Sequence, residues 1–305
     1  MQIMDIRQIQ AFVAIADTGS FSLAADALKT VQSNISTRIT KLEEELGITL
    51  LDRRDGSVTA DGAIVLERSR RILAEMDAVY DDVRAATDTI SGTVTVGMIG
   101  TTGRWLAPHL MRNLLATLPL VQLRIIEGTN SLLEPQVAQG LIDIAILSEP
   151  ISHPDVVATP FFTEDLVVIT TSSSPLARHA TISVTELAQH ELLLPLAGTA
   201  LRADIDAVCA QHGVTLRPRI ELDGVRTLAS LAFDGYGPAI LPATTLSRHL
   251  VGAFVAVPID ELPPRRVSLA TRKFGFPSAP VRAVRDLLMS SVSDPLLLPA
   301  GVHRA

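Results

Sequence analysis

The chain has 305 residues and a formal charge of -7, and its one cysteine, Cys209, excludes an intrachain disulfide, a Cys-rich zinc site and a dithiol redox switch. That length holds about two or three domains of ordinary size, and the acidic balance gives no global positive field to advertise nucleic-acid binding. Even the first 60 residues carry six basic against eight acidic side chains, so any DNA contact must come from locally placed groups.

From Asp5 to about Asp17, the spacing of Ile6, Ile9, Phe12, Val13 and Ala16 predicts an amphipathic helix, stopped at Gly19. Ser20 or Ser22 can cap a second short helix through Leu28. After the turn Lys29-Thr30-Val31, a third helix runs from Gln32 to Leu46 with Ile35, Ile39, Leu42 and Leu46 as its buried stripe, closed by Gly47. Two short extended runs, Thr49-Leu50-Leu51 and Ser57-Val58-Thr59, flank Asp55-Gly56 and predict a β-hairpin wing.

A long helix follows from Ala60 to about Thr87. Ala63, Leu66, Ile72, Leu73, Met76, Val79, Tyr80 and Val83 keep a near-heptad apolar stripe, too long to fold back onto so small a neighbour. The expected use is pairing with a second copy. Thr89 to Gly92 reads as a boundary. Beyond it strands and helices alternate: strand Val94 to Val96, helix Arg104 to Thr117, strand Leu123 to Ile126, helix Leu132 to Gln139, strand Ile142 to Leu147. The alternation resumes with strand Leu166 to Thr170, helix Thr199 to Gln211, strand Arg219 to Leu222, helix Val225 to Phe233 and strand Ala239 to Leu241. Strand Val267 to Thr271 and helix Val281 to Met289 close the series, and the tail from Ser290 reads as frayed. Such alternation predicts α/β units with parallel sheets.

An ordered set of blocks carries a resemblance. They are Gly19-Ser20-Phe21-Ser22-Leu23-Ala24-Ala25-Asp26-Ala27-Leu28, Val31-Gln32-Ser33-Asn34-Ile35-Ser36, Leu42-Glu43-Glu44-Glu45-Leu46-Gly47 and Leu50-Leu51-Asp52-Arg53. Downstream stand Gly140-Leu141-Ile142-Asp143-Ile144-Ala145-Ile146 and Gly235-Tyr236-Gly237-Pro238-Ala239-Ile240-Leu241-Pro242. Together, from Asp5 to about Leu288, the chain resembles the LysR-type transcriptional regulators. It departs from them at Leu51, where many members carry Phe, and at Asn34, where Ala or Pro is frequent.

The resemblance implies an N-terminal all-α winged helix-turn-helix, a long linker helix, and a C-terminal α/β two-lobed effector domain built like a periplasmic binding protein. The expected division is 1–60 for DNA binding, 61–89 for the dimerising helix, 90–162 with 267–300 for one lobe and 163–266 for the other. The crossings between lobes are expected near Phe161-Phe162-Thr163 and Arg265-Arg266-Val267.

At the start of a recognition helix, short polar groups meet base edges in the major groove. Gln32, Ser33, Asn34, Ser36 and Thr37 stand there, with Arg38 and Lys41 further along for phosphates and Arg53 and Arg54 at the wing. A polar helix face by itself is usually only solvated; the flanking blocks are what turn it into a DNA reader. In the C-terminal half, four strand-to-helix connections bring Gly, Thr or Asn to helix N-termini, where free N–H groups hold anions. The expected effector contacts are Thr101 and Thr102, Thr129 and Asn130, Gly198 and Thr199, Arg202 leaning back toward the cleft, and Val225. Ordinary capping accounts for any one such loop; their convergence on one cleft makes the site.

Other signals are set aside. Gly97 to Gly103 has the wrong spacing for a dinucleotide fingerprint, the seven histidines show no metal spacing, and Ser172-Ser173-Ser174-Pro175 is no nucleophile elbow. No cofactor and no enzymatic activity are expected. The start of the chain carries no signal-peptide core and no window spans a membrane, so the expectation is a cytoplasmic regulator with three partners: double-stranded DNA bearing an interrupted palindrome, a small anionic or polar metabolite, and its own copies as homodimer or homotetramer.

Overall fold

The structure, a computed structural model, describes residues 4–52, 54–86, 89–246, 254–293 and 298–305. The chain opens with α1 (Ile6–Thr18), α2 (Phe21–Ala27) and α3 (Gln32–Leu46). Asp5 caps α1 in a reciprocal box with Gln8, and Gly19 ends it at φ 66°, a left-handed conformation that glycine adopts without strain. Phe12, Ile15, Ala24, Ile35, Ile39, Leu42 and Leu50 fill one small core. The expected wing is reduced to a single antiparallel bridge, Leu51 to Val58, around the Asp55-Gly56 turn. Thr59 then caps α4 (Ala60–Ala85), a helix of 26 residues.

The remainder comprises β1 (Gly92–Ile99), α5 (Gly100–Thr117), β2 (Val121–Gly128), α6 (Asn130–Gln139), β3 (Ile144–Ser148), β4 (Val156–Glu164) and β5 (Leu166–Thr171). Then follow α7 (Val184–Leu187), β6 (Glu191–Pro195), α8 (Ala200–Gln211), β7 (Arg217–Leu222), α9 (Val225–Phe233), β8 (Ala239–Pro242), β9 (Phe254–Pro258), β10 (Arg265–Arg272), α10 (Ala279–Ser291) and β11 (Val302–Arg304).

These build two sheets, β11-β4-β10-β3-β1-β2 and β7-β6-β8-β5-β9, each the centre of a lobe. The chain passes from the first sheet to the second at Asp165, between β4 and β5, and returns between β9 and β10. Strands joined by crossover helices are parallel, as in β1–β2, β1–β3 and β6–β7. Strands on either side of the lobe crossings run antiparallel, as in β4–β10, β3–β10 and β5–β9. Both sheets are therefore mixed where parallel sheets were expected, because the strands that carry the chain between the lobes lie antiparallel to their neighbours.

The tail is also not frayed where it is described. β11 pairs with β4, and Val302 is buried in the core of the first lobe.

Candidate functional site

Along α3, Ile35, Ile39 and Leu42 face the core, which turns Gln32, Ser33, Asn34, Ser36, Thr37 and Lys41 outward and leaves Arg38 half-buried. Asn34 donates its side-chain amide to Thr30 Oγ1 at 3.0 Å, so its orientation is set before any base arrives. Thr37 bonds back to the Ser33 carbonyl at 2.9 Å. Arg54 grips Asp52 with two nitrogens, at 3.1 and 2.6 Å, and this pairing holds the Asp52 carboxyl below the usual carboxylate range. Arg53 lies outside the described residues.

The structure also shows where several acids of this net-acidic segment are engaged. Glu43 accepts the backbone N–H groups of Leu50 and Leu51 at 2.7 and 3.3 Å, Asp5 caps α1, and Asp17 pairs with Arg70 of α4. These acids are occupied in holding the domain together and do not lie among the outward groups of the first turns of α3. Sequence reasoning missed the Glu43 contact, because its partners become neighbours only once the chain turns at Gly47.

The linker helix has two unlike faces. One is tied to its own chain: Arg70 to Gln139, Arg71 to Asp155, Glu75 to Arg272, and Asp82 to Arg282 and the Ala279 N–H. The other exposes Ile72, Val79, Tyr80 and Val83. Leu66, expected in the same stripe, packs instead on the N-terminal core.

In the C-terminal half, α5 begins at Gly100, four residues earlier than the sequence suggests, and its first turn is buried in the seam between lobes. Thr101 accepts a hydrogen bond from Arg265 at 3.2 Å. Arg265, entering β10, is paired with Glu164, which ends β4 and is wholly buried; Nε lies 2.8 Å from the carboxylate. The other oxygen of Glu164 accepts from the Thr244 hydroxyl at 2.6 Å and from its backbone N–H at 3.2 Å. One buried ion pair on the two crossing strands thus holds a threonine from each lobe. Beside it, Thr102 Oγ1 and Trp105 Nε1 on α5, and Thr245 Oγ1 on the short turn packed against α5, are buried with no hydrogen-bond partner among the described residues. Each such group costs about 1–3 kcal/mol.

The other expected contacts are arranged differently. Asn130 is bonded through its side chain to both backbone groups of Ser148, pinning the start of α6 to the end of β3. Thr129 shares its hydroxyl with Ser131, and Thr199 caps α8 next to the exposed Gly198. Val225 opens α9 half-buried among apolar neighbours. Arg202 does not lean toward the cleft. It is nearly buried and bound to Asp206, Glu221 and the Pro195 carbonyl, because the carboxylates across α8 and β7 offer full partners where the cleft offers only backbone.

Comparison with known proteins adds the following. Residues 6–63 match the family of bacterial regulatory helix-turn-helix proteins, lysR family, and residues 87–293 match the LysR substrate binding domain. A hydrogen peroxide-inducible genes activator of Pectobacterium carotovorum is 28% identical, over 95% of this chain and 96% of that one. A probable activator of the same description from Mycobacterium leprae is 30% identical, with 94% of each chain covered. Among solved structures, a full-length OxyR variant from Pseudomonas aeruginosa superposes with a TM-score of 0.78 at 23% identity, covering 95% of both chains. Full-length CbnR complexed with its target DNA gives 0.67 at 24% identity, over 94% of this chain and 99% of that one.

Proposed function

The chain belongs to the LysR family of DNA-binding transcriptional regulators, and on that footing we propose that α3 reads an operator while the seam between the lobes holds a small effector. In this reading Gln32, Ser33, Asn34, Ser36 and Thr37 meet base edges, and Arg38, Lys41, Arg53 and Arg54 meet phosphates. The proposed division keeps residues 1–60 for DNA, 61–89 for pairing two copies through the open face of α4, and 90–162 with 267–300 and 163–266 for the lobes. Two copies place two recognition helices on the half-sites of an interrupted palindrome. The regulator acts in the cytoplasm, and its role is binding and not turnover, in keeping with relatives that are transcription regulators.

The observation that carries the effector reading is the trio of buried polar atoms without partners: Thr102 Oγ1, Thr245 Oγ1 and Trp105 Nε1. They offer a small polar or anionic metabolite hydrogen bonds that the protein alone leaves unmade, and Thr101, Thr129, Gly198 and Thr199 are the further contacts proposed for it. Binding there favours one separation of the lobes, which is the population shift regulation needs. Two of the relatives above are named for peroxide induction, but a two-cysteine oxidation is closed to this chain. Its single thiol, Cys209, is buried, and burial pushes its pKa up, away from the reactive thiolate.

Genomic footprinting tests the operator half and, through the neighbouring genes, points to candidate metabolites. Trp105 is the chain's one tryptophan, so its fluorescence reports directly on the seam. A metabolite that alters operator occupancy while leaving the Trp105 emission untouched would place the effector elsewhere.

A further inference from the structure

Asp165 stands at the crossing between the lobes, after Glu164 at the end of β4 and before Leu166 at the start of β5. A residue in that place absorbs backbone rotation when the lobes change their angle. Here its polar groups are all engaged. The Asp165 N–H donates to the Gly301 carbonyl at 2.8 Å, and its own carbonyl accepts from the Ala243 N–H at 2.9 Å. Both carboxylate oxygens lie 3.1 Å from His303 Nε2. Ala243 opens the short turn Ala243–Thr245 of the second lobe, while Gly301 and His303 belong to the last five residues of the chain.

The end of the chain therefore meets the crossing from both sides. On the first-lobe side β11 pairs with the end of β4: Val302 is opposite Glu164, His303 opposite Thr163 and Arg304 opposite Phe162. Val302 is buried in that lobe's core. Phe162 in turn meets the Trp105 ring edge-on, with centroids 5.7 Å apart. On the second-lobe side Gly301 lies against Ala243. A Cβ at position 301 would stand 2.8 Å from the Ala243 Cβ, and the backbone there has φ 74°. Both the close approach and the left-handed backbone call for glycine.

This hold is broad but shallow. Val302 is buried, whereas His303, Arg304 and Ala305 are exposed. The His303–Asp165 pair is roughly half in water, where screening leaves it little strength. A strand of three residues at a chain end, anchored by Val302, can open without unfolding the sheet that it borders. The Glu164–Arg265 pair fastens the same crossing, but parting it strands a buried charge. Lifting the chain end strands none.

We propose that residues 301–305 are a strap across the hinge. Seated, they hold Asp165 and fix the angle between the lobes; released, they free the crossing for rotation. This goes beyond the effector reading: it names what sets the resting separation of the lobes, whatever binds in the seam.

The test compares the full-length protein with a chain lacking Gly301–Ala305 and with Gly301→Ala, which keeps every donor and acceptor but does not fit against Ala243. Hydrogen exchange at single-residue resolution follows the Asp165 N–H, and acrylamide quenching follows Trp105. In both variants the Asp165 amide exchanges about tenfold faster or more, and Trp105 quenching roughly doubles. The amides of Val96 in β1 and Val168 in β5 keep their native protection, which shows that both lobes remain folded. Arg304→Gln, a change in an exposed side chain, behaves as the native protein. Native exchange at Asp165 in both the deletion and Gly301→Ala overturns the proposal. Equal loss of protection at Asp165, Val96 and Val168 also overturns it, because the chain end is then part of the fold and not a strap. Faster exchange with unchanged Trp105 quenching overturns the claim on the lobe angle. Neither readout involves DNA or a metabolite, so failure here leaves the regulatory reading standing.

Discussion

Arg71 of the linker helix lies 2.7 Å from Asp155 at the entrance to β4, so the helix that carries the DNA-binding domain is fastened to the lobe beneath it. The Arg71 hydrogen bond is the first cause of a lowered Asp155 pKa. A carboxylate whose folded pKa is depressed adds stability that is complete above its unfolded value, about 3.9, and fades as pH falls through the folded value. Docking of α4 is therefore expected to be constant from neutral pH to about pH 5 and to loosen below about pH 4. Hydrogen exchange of α4 amides across that range checks this, and Asp155→Asn should loosen the helix at neutral pH. Exchange that rises equally in native and Asp155→Asn proteins on acidification would detach the effect from this pair.

Operator binding should respond to the outward edge of α3. Replacement of Gln32, Ser33 or Asn34 by Ala costs about 1–3 kcal/mol of specific affinity wherever the side chain reads a base. Asn34→Ala also releases Thr30, so some of its loss appears on every sequence. Lys41→Gln weakens all sequences alike and lowers the salt slope by about one unit. Mobility-shift titrations at several salt concentrations separate the two behaviours; unchanged affinity for all four variants would mean that another face meets DNA.

The open stripe of α4 makes a prediction about assembly. Val79, Tyr80 and Val83 are each more than 60% exposed, so charging Val79 and Val83 should leave the folded chain within about 0.5 kcal/mol of native. The same change, Val79→Glu with Val83→Glu, should break the pairing of two copies and with it tight binding to a two-half-site operator. Light scattering that shows the same oligomer in the double variant would remove this face from the interface.

Arg265→Met strands Glu164 as an uncompensated buried charge, and removal of one partner from such a pair costs about 3–5 kcal/mol. The double change Arg265→Met with Glu164→Gln leaves no charge behind and should recover much of that loss. Urea denaturation followed through Trp105 measures both. Equal destabilisation by the single and double variants would mean that packing, and not charge, holds the crossing strands.

Where local pattern and tertiary demand agree, the sequence is legible: α3 and α9 have the bounds their periodicity predicts, Gln32–Leu46 and Val225–Phe233. Gly100-Thr101-Thr102-Gly103 has the composition of a loop, yet it is helical because burial in the seam overrides propensity. Of β4 only the crossing near Phe161-Phe162-Thr163 was legible, because Pro160 interrupts its run; Pro160 lies opposite Ser268, beside the shift in register, where a missing N–H is tolerated. Arg202 was misjudged for a different reason. Its partner Glu221 lies 19 positions away on another element, and no local rule brings the two together.

The fastening of α4 has a mechanical meaning. A helix of 26 residues is about 39 Å long, and its ion pairs to the lobe run from Arg71 to Asp82 while its other end carries the DNA-binding head. Such a helix is a lever. From Arg71 to Ala60 the free length is about 16 Å, so a tilt on the order of 10° at the lobe sweeps the far end through about 3 Å, roughly one base-pair step. A modest turn of the lobe, multiplied by the length of one helix, is enough to carry a recognition helix from one register of the double helix to another.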